Sequence, residues 1–416
     1  MSPFLKVMQL FLMMTGTVLG MLILLLVTPD LEDTMLRAVR RYHKRHQQSP
    51  SPAETNRMLE SVEGRRENDV GGEGAFLENE KYHLVAGQGP QLDLGRRSFA
   101  PWPGSDQCGH FHVHFAKQKS LPMTALVSFP GSGNTWVRYL LETSSGIFTG
   151  SVYTDRQLIS KGFYGEAVPA DCGCTAVQKT HGFALAGRVP AGAVQRAAEV
   201  ALFRGRAVLL LRNPYEALLS YRNFLYAGHT GFAPHDRFRG PEWERFASRL
   251  AVVWRELAAT WINVSRSDVP GYSESMGLRP AATVLHFERL RLDPGGSLRR
   301  LLTFLRLPRD PERIACALSH LDGPFRRPLR SPQRALFQIR DPFSADLHRI
   351  LDAAIADVDH MLIKRGWGRA PTHLYKFYGG GQGNRRRTRG EWRRSRHNAT
   401  RALHRAYQPP ESVPAG

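Results

Sequence analysis

A long, mostly hydrophobic stretch lies near the start of the chain. No ionisable residue occurs from Val7 to Pro29, and at about 1.5 Å per residue such a stretch is long enough to cross a bilayer as a helix. The sequence therefore predicts a cytoplasmic segment at residues 1–7 and one transmembrane signal anchor at residues 8–28. Basic residues after this helix favour a cytoplasmic body, whereas the sequons at Asn263 and Asn398 favour a lumenal one.

Two polar segments flank the central part of the chain. Residues 29–106 lack sustained apolar periodicity, which predicts a disordered stem. Residues 371–416 include an arginine-rich run at 385–396, which predicts a disordered basic tail. We expect this tail either to aid solubility or retention, or to bind polyanions such as acidic glycans and lipid headgroups.

The central part, residues 107–370, alternates short apolar runs with helical patterns. This arrangement predicts an α/β fold in which a parallel sheet is flanked by helices. A helix start is also indicated, with Asn213 as N-cap and Pro214 at the first helical position. The predicted strands that matter for function are Thr124–Phe129, Thr175–His181 and Ala207–Leu211.

A glycine-containing turn joins the first of these strands to the helix that follows it. Two glycines let the backbone curl around an anion, and the helix N-terminus adds its positive end. The pattern is not that of nucleotide hydrolases, which need a lysine where Asn134 stands. Close packing alone also produces such turns. The candidate phosphate-binding residues are Gly131, Ser132, Gly133, Asn134, Thr135 and Trp136.

The other two strands end in further candidate residues. Arg212 follows the strand at Ala207–Leu211, and Ser220 lies about two turns into the next helix, which suits a second phosphate. Lys179 and His181 are two positions apart on an extended segment and therefore share a face, which suits an acid–base pair. Structural alternatives are a salt bridge for Arg212, a solvated position for Ser220 and a hydrogen-bonded core histidine for His181.

Composition narrows these possibilities. The 57 Lys and Arg against 37 Asp and Glu give a net charge of +20, which favours an anionic partner without identifying it. A hydrophobic content of 42% excludes wholesale disorder and a multi-span membrane protein.

His110, His112 and His114 alternate, but no Cys or carboxylate stands at ligand spacing to complete a metal site. Among the four cysteines, we expect Cys108 to pair with Cys172 or Cys174, not these two with each other.

The motifs and their order resemble the sulfotransferase superfamily, which uses 3′-phosphoadenosine 5′-phosphosulfate (PAPS). The resemblance is carried by S-F-P-G-S-G-N-T-W, then K-T-H, then L-L-L-R-N-P-Y-E-A-L-L-S-Y. Within the superfamily, the chain looks most like the WSC-domain-containing sialate O-sulfotransferases. That finer resemblance is carried by T-G-S-V-Y-T-D, K-G-F-Y-G-E, R-N-P-Y and Y-A-G-H. No cysteine-rich WSC module stands between the predicted membrane helix and the body.

The resemblance implies roles for the candidate residues. The backbone from Gly131 to Thr135 would bind the 5′-phosphosulfate of PAPS, and Trp136 belongs to the same donor site. Arg212 and Ser220 would bind the 3′-phosphate, completed by Arg326 or Arg327. His181 would take the proton of the acceptor hydroxyl, Lys179 would stabilise charge on the sulfuryl group, and no metal is implied.

One departure from the family pattern bears on catalysis. Cytosolic members carry a lysine at the position of Gly131, so Arg138 or Lys179 would have to supply its charge. The predicted architecture is thus a sulfotransferase fold with a P-loop-like sheet at residues 107–370, preceded by one transmembrane helix.

The predicted function is that of a Golgi enzyme with a single-pass type II membrane anchor and a lumenal catalytic domain. It would transfer sulfate to a hydroxyl of a glycan acceptor, with sialic acid as the expected sugar, on glycoproteins or glycolipids. No nucleic-acid partner is expected, and the oligomeric state is left open. The alternative is a catalytically weak or inactive protein of the same fold that binds acidic glycans. A metal-dependent glycosyltransferase is disfavoured, because no acidic metal motif is present.

Overall fold

The computed structural model describes residues 90–185, 193–264, 282–325, 327 and 341–379. All of them belong to the second of two units into which the chain divides, Asn79–Gly416. The predicted membrane anchor at 8–28, most of the predicted stem and most of the predicted tail lie outside the described residues. Within the described part of the chain, no helix has the length and apolar character needed to cross a membrane.

Two β-sheets are present in the described residues. The strands are β1 (Leu92–Asp93), β2 (Phe115–Ala116), β3 (Ala125–Ser128), β4 (Gly150–Ser151), β5 (Gln178–Thr180), β6 (Ala207–Leu211) and β7 (Ala282–His286). β1 and β2 form a small antiparallel pair. The other five form one parallel sheet in the order β4-β5-β3-β6-β7.

Helices lie on both faces of the parallel sheet. The described α-helices are α1 (Asn134–Ser145), α2 (Arg156–Ile159), α3 (Ala193–Leu202), α4 (Pro214–Ala227), α5 (Gly240–Ile262), α6 (Phe287–Leu292), α7 (Pro294–Leu305), α8 (Pro311–Ser319) and α9 (Ala345–Arg365). Short 3₁₀ turns occur at Tyr164–Ala167, Gly182–Leu185, His235–Phe238 and Thr372–Leu374. The predicted parallel sheet flanked by helices is thereby confirmed.

The two faces of β6 show why these strands are apolar throughout. Leu209 and Leu211 pack into a core with α4, α5 and α9, whereas Val208 and Leu210 pack into a second core with α1, α7 and α8. A parallel strand that is covered on both faces needs apolar residues at every position. The run Ala207–Leu211 satisfies this requirement, and all five of its residues are buried.

Two local predictions are also confirmed. The side chain of Asn213 accepts a hydrogen bond from the backbone N–H of Tyr215 at 3.1 Å, and Pro214 is the first residue of α4. This cap fixes where α4 begins, immediately after Arg212. In α7 an apolar stripe is buried, and it consists of Leu298, Leu301, Leu302 and Leu305.

The folded body extends beyond the predicted bounds of 107 and 370. Leu92 pairs with Ala116, and Trp102 is 6% exposed and donates from Nε1 to the hydroxyl of Tyr139 at 3.1 Å. At the other end, Tyr375 is 2% exposed and belongs to the core beside α9. Isolated aromatic residues in polar segments give no periodicity, so the sequence assigned these parts to the stem and the tail.

The predicted disulfide pairing is wrong. Cys108 pairs with Cys316 across 208 positions, and Cys172 pairs with Cys174. Helix α8 carries Cys316 against the segment of Cys108, where both belong to one small apolar cluster. Gly173 has a φ of +60°, and the turn around it brings the Cα atoms of Cys172 and Cys174 to 5.2 Å. A residue with a side chain would be strained at this φ, so the glycine permits the short bridge.

Candidate active site

The predicted site residues meet at one edge of the parallel sheet. Strands β3, β5, β6 and β7 run in the same direction, so their carboxyl ends lie together. In open α/β sheets this edge is where ligands bind. Beyond these strand ends follow the glycine-containing turn, His181, Arg212 and Phe287.

The turn between β3 and α1 needs both of its glycines. Gly131 has a φ of +83°, and a Cβ there would lie 2.4 Å from the carbonyl oxygen of Ala217 in α4. Gly133 has a φ of +92°, and a Cβ there would lie 2.6 Å from the ring of Phe287. Close packing therefore accounts for the glycines. It also holds the loop against both α4 and the end of β7, where the other candidate groups lie.

The start of α1 provides hydrogen-bond donors at this loop. Gly133 is the N-cap residue, and no side chain caps the helix there. The first N–H groups of an α-helix have no acceptor within the helix, and they carry the positive end of its dipole. Asn134 and Thr135 are the first two residues of α1, so their backbone N–H groups belong to this set.

Three buried side-chain atoms near the loop have no hydrogen-bond partner among the described residues. They are Oγ of Ser132, Oδ1 of Asn134 and Nε of Arg212. Ser132 is 1% exposed and Asn134 is 5% exposed. An unpaired buried polar atom costs about 1–3 kcal/mol, so three of them beside one loop point to a ligand that completes their hydrogen bonds.

Arg212, Ser220 and Arg327 are brought together next to this loop. The Arg212 guanidinium donates to the carbonyl of Gly131 at 2.8 Å and lies 4.4 Å from the centre of the Phe287 ring. Arg327 donates from Nη1 to the hydroxyl of Ser220 at 3.0 Å. Burial and the nearby charge of Arg212 lower the pKa of Arg327 to about 10. Two partly buried cations that repel each other suit an anion placed between them. Arg326 lies outside the described residues.

His181 lies at the end of β5 with a defined tautomer. Its Nδ1 is 2.8 Å from the backbone carbonyl oxygen of Ser128 and 3.4 Å from the hydroxyl of that residue. A carbonyl oxygen only accepts hydrogen bonds, so Nδ1 carries the proton and Nε2 keeps its lone pair. Burial, and then the charge of Lys179, lower the pKa of His181 to about 3. The imidazole is therefore neutral near pH 7 and able to accept a proton at Nε2.

A short hydrogen-bonded chain connects the loop to His181. Nδ2 of Asn134 donates to the hydroxyl of Ser128 at 3.2 Å and to the carbonyl of Leu126 at 3.0 Å. Ser128 in turn contacts His181 through both its hydroxyl and its carbonyl. The first residue of α1 and the candidate base thus share one partner at the end of β3.

Lys179 is buried beside His181, at 7% exposure. Both residues lie around Tyr153, since the Lys179 ammonium is 5.7 Å from the centre of its ring and the His181 imidazole stacks on it at 5.9 Å. Burial lowers the pKa of Lys179, while the charges of Glu166 and Asp155 act in the opposite direction. The predicted proximity of Lys179 and His181 is therefore present.

Arg138 is not positioned as the sequence suggested. Its side chain is fully buried, donates from Nε to the hydroxyl of Thr149 at 2.7 Å, and forms an ion pair with Glu166. These contacts hold the guanidinium within the fold beside β4 and do not bring it to the glycine turn. A cation that does contact the glycine turn is Arg212, through its hydrogen bond to the carbonyl of Gly131.

Four residues around the candidate base were not predicted from the sequence. They lie in the motifs T-G-S-V-Y-T-D, K-G-F-Y-G-E and Y-A-G-H, which indicated a family resemblance but no role for these residues. Oδ2 of Asp155 is 3.0 Å from Nε2 of His229, and the backbone N–H of Asp155 donates to Glu166 at 3.2 Å. Burial opposes ionisation of Asp155, but the bond from His229 and the charge of Lys179 hold its pKa below the usual range. The missed residues are Tyr153, Asp155, Glu166 and His229.

His286 gives a prediction about stability. It lies at the end of β7, is 4% exposed, and neither ring nitrogen has a partner among the described residues. Burial, and then the charge of Arg289, lower the pKa of His286 to about 3. Below pH 6.5 the unfolded chain binds a proton here that the folded protein does not bind. The free energy of unfolding therefore falls as the pH decreases from 6.5 towards 3.

We expect His286→Leu to raise the free energy of unfolding by about 1–3 kcal/mol at pH 7.5, because it removes two unpaired polar atoms. The gain should grow by about 1.4 kcal/mol for each pH unit below 6.5. Urea unfolding of the full chain in detergent at pH 7.5 and 5.0 measures this, with exposed His360→Leu as the control. A destabilised His286→Leu protein at both pH values would contradict the argument.

Three buried carboxyls give the stability a pH dependence of opposite sign, and comparing wild type with His286→Leu cancels it. Burial raises the pKa of Glu142, Glu199 and Glu288 to about 7, so these carboxyls stabilise the folded protein at low pH and lose that contribution as the pH rises. All three are present in both proteins. The difference between the two unfolding curves therefore isolates His286.

No metal centre is evident in the described part of the chain. It contains no group of three or more His, Cys, Asp or Glu residues arranged to hold an ion. The imidazoles of His112 and His114 lie 6.2 Å apart, and Nδ1 of His112 is 3.0 Å from the carbonyl of His110.

Comparison with known proteins found relatives in insects. The chain is 35% identical over 254 residues to a WSCD family member of Aedes aegypti, a match that covers 60% of this chain and 69% of the relative. It is 34% identical to WSCD family members of Drosophila melanogaster and Drosophila pseudoobscura pseudoobscura, covering 52% of this chain and 60% and 61% of these relatives. No family model matches the chain.

Comparison with solved structures found sulfotransferases. A mouse sulfotransferase complexed with PAP is 14% identical, with a TM-score of 0.34, and the match covers 67% of this chain and 89% of that one. A sulfotransferase from Alicyclobacillus acidocaldarius is 15% identical, with a TM-score of 0.32, over 58% of this chain and 96% of that one.

Proposed function

The chain belongs to the WSCD family, and from that premise we propose that it is a sulfotransferase that uses PAPS as donor and a glycan hydroxyl as acceptor. One observation carries the proposal. The glycine turn contains buried polar atoms that have no partner among the described residues, and it contacts Arg212. Near it, Arg327 contacts Ser220, and at the same sheet edge lies a neutral histidine whose Nε2 is unprotonated. Such an edge suits a donor with two anionic ends and an acceptor whose hydroxyl must lose a proton.

The residues at the edge fit the two ends of this donor. The backbone N–H groups at the start of α1, together with Ser132 and Asn134, would bind the phosphosulfate. Arg327 and Ser220 would bind the 3′-phosphate. Arg212 would serve both groups, because it contacts Gly131 and its charge acts on Arg327. Arg212 would thereby replace the loop lysine that Gly131 cannot provide.

An aromatic pair beside the loop would hold the adenine of the donor. The ring of Trp136 meets that of Phe287 edge to face at a centroid distance of 5.5 Å, and its Nε1 donates to the carbonyl of Leu321 at 2.6 Å. The guanidinium of Arg212 lies over the ring of Phe287. Flat apolar surfaces next to cations suit a nucleobase that is attached to phosphates.

In the proposed reaction the acceptor oxygen forms a bond to sulfur while the bond from sulfur to the phosphate oxygen of the donor breaks. The proton of the acceptor hydroxyl passes to Nε2 of His181, whose Nδ1 proton stays hydrogen-bonded to Ser128. Lys179 and Arg212 would stabilise the negative charge that moves during transfer. This chemistry requires no metal.

We further propose that the body lies in the lumen of the Golgi, behind a type II membrane anchor. The disulfides Cys108–Cys316 and Cys172–Cys174 suit an oxidising compartment. Asn263, the first residue of a sequon, is exposed at the end of α5. The acceptor sugar is proposed to be sialic acid on glycoproteins or glycolipids, as the family resemblance implies, and the net charge of +20 would attract such acidic acceptors.

The test is transfer of radiolabelled sulfate from PAPS to a glycan panel by the full chain purified in detergent. Matched glycans with and without terminal sialic acid form the panel, and enzymatic removal of sialic acid provides a second control. We expect labelled product on the sialylated members. Labelling of non-sialylated members alone would contradict the acceptor assignment. Absence of product on all members, with glycan binding retained, would instead favour the alternative of an inactive glycan-binding protein.

A further inference from the structure

Tyr153 contacts both residues that we assign to proton transfer and charge stabilisation. Its hydroxyl accepts a hydrogen bond from the backbone N–H of His181 at 2.9 Å. Its ring stacks on the His181 imidazole with centroids 5.9 Å apart and an angle of 21° between the ring planes. The Lys179 ammonium lies 5.7 Å from the centre of the same ring. The motif that contains Tyr153, T-G-S-V-Y-T-D, indicated a family resemblance but no function for this residue.

The place of Tyr153 in the fold makes it a rigid support. It follows β4, the strand next to β5, and its backbone N–H donates to the hydroxyl of Ser151 at 3.1 Å. The next strand, β5, ends one residue before His181. Tyr153 therefore bridges the ends of two paired strands at the sheet edge where the site lies.

The contacts of Tyr153 and Ser128 hold His181 from two sides. Ser128, at the end of β3, accepts a hydrogen bond from the Nδ1–H of His181 at its carbonyl oxygen. Tyr153, next to β4, fixes the backbone of His181 through its hydroxyl and one face of the imidazole through its ring. With the backbone, the ring plane and Nδ1 all constrained, Nε2 has one direction in which to accept a proton. A misplacement of about 1 Å in such a group can reduce a rate about a hundredfold.

The ring of Tyr153 also attracts the ammonium group of Lys179. An ammonium within about 6 Å of an aromatic face is attracted to it, and the attraction increases when both groups are removed from water. Lys179 and Tyr153 satisfy that distance, and Lys179 is buried. The same ring thus maintains the spacing between the cation and the imidazole.

We propose that Tyr153 is a positioning residue that holds His181 in its Nδ1-protonated tautomer, with Nε2 available as the proton acceptor, and that keeps Lys179 beside it. The proposal rests on the proposed sulfotransferase function for its effect on rate. Its effect on the tautomer of His181 is independent of any substrate. Tyr153 itself exchanges no proton with the acceptor.

The experiment compares Tyr153→Phe with wild type in the full chain. Phenylalanine keeps the ring and removes the acceptor for the His181 N–H. Tyr164→Phe is the matched control, since Tyr164 is a partly buried tyrosine whose ring packs on Phe99 and Phe148. The measurements are kcat and KM for PAPS, and the ¹⁵N shifts of selectively labelled histidine rings with His181→Gln as the assignment reference.

We expect Tyr153→Phe to lower kcat about tenfold or more, with KM for PAPS changed less than twofold. We also expect the His181 ring signals to move from the Nδ1-protonated pattern towards a mixture of tautomers. Tyr164→Phe should resemble wild type in both measurements. An unchanged kcat together with an unchanged tautomer in Tyr153→Phe would overturn the proposal.

Two further measurements keep the outcome decisive. If wild type transfers no sulfate, the proposed function fails, while the ring signals still decide whether Tyr153 sets the tautomer. If Tyr153→Phe does not fold, hydrogen exchange of the His181 amide in wild type gives the answer. Protection well above that of exposed loop amides supports the bond to the Tyr153 hydroxyl, and exchange as fast as those amides overturns it.

Discussion

Replacing His181 with glutamine is expected to lower the rate of sulfate transfer by a factor of about 10²–10⁴ while leaving donor binding unchanged. Glutamine can keep a hydrogen bond to the Ser128 carbonyl, but it has no lone pair basic enough to accept the acceptor proton. The loss should therefore fall on kcat, with the affinity for adenosine 3′,5′-bisphosphate within twofold of wild type.

The measurements are steady-state transfer to the best acceptor of the glycan panel and calorimetric titration with the bisphosphate. His373→Gln is the control, because His373 is exposed and lies in the Thr372–Leu374 turn. A His181→Gln rate within about tenfold of wild type would remove His181 from the role of base.

The lowered pKa of His181 also predicts how the rate of sulfate transfer by the wild-type protein depends on pH. Burial and the charge of Lys179 lower the pKa of His181 to about 3, so the imidazole remains neutral well below the ordinary histidine pKa of about 6.5. Transfer should therefore show no decline from protonation of His181 between pH 7 and pH 5.5. A decline in kcat/KM with a midpoint near 6.5 would contradict this assignment.

Replacing Arg212 with alanine is expected to weaken binding of adenosine 3′,5′-bisphosphate about 10- to 100-fold. Charge-assisted hydrogen bonds contribute about 1.5–3 kcal/mol, and Arg212 adds the cation that the loop lacks at Gly131. Arg327→Ala should produce a loss of similar size, because Arg327 holds Ser220. Calorimetry at two salt concentrations measures both losses, and each variant should show a weaker salt dependence than wild type.

The two arginines should not act additively. Burial, and then the charge of Arg212, lower the pKa of Arg327, so the two cations repel each other until an anion binds. Arg255→Ala is the control, since Arg255 lies on the exposed face of α5 and pairs with Asp357 at 2.7 Å. Unaltered bisphosphate affinity in Arg212→Ala and Arg327→Ala would show that this edge does not bind the donor.

Local sequence patterns predicted the framework of the site because their physical causes are local. The apolar run of β6 and the cap formed by Asn213 and Pro214 each depend on neighbouring residues, and the structure has them at the expected positions. These elements fix where Arg212 leaves the sheet. The two glycines of the turn were also visible in the sequence, whereas the contacts with Ala217 and Phe287 that exclude a Cβ there come from tertiary packing.

Two other expectations depended on contacts between distant residues, and the structure differs from both. Cys108 was expected to reach Cys172 or Cys174, but it lies against Cys316 of α8. Arg138 was a candidate for the missing loop cation, but the ion pair with Glu166 holds it within the fold. Neither outcome can be derived from spacing along the chain, because each depends on how separate elements pack.

The sequence by itself determined three strands of the parallel sheet, the glycine turn, the start of α4, and the carboxyl-end positions of His181 and Arg212. These follow from periodicity, caps and backbone conformation, which act over a few residues. Only the tertiary structure decided which side chains share the edge: Arg212 with Gly131, Arg327 with Ser220, and Tyr153 with His181. The physical reason is that hydrogen bonds and desolvation depend on distances in space, which sheet order and packing set across 28 to 107 positions of chain.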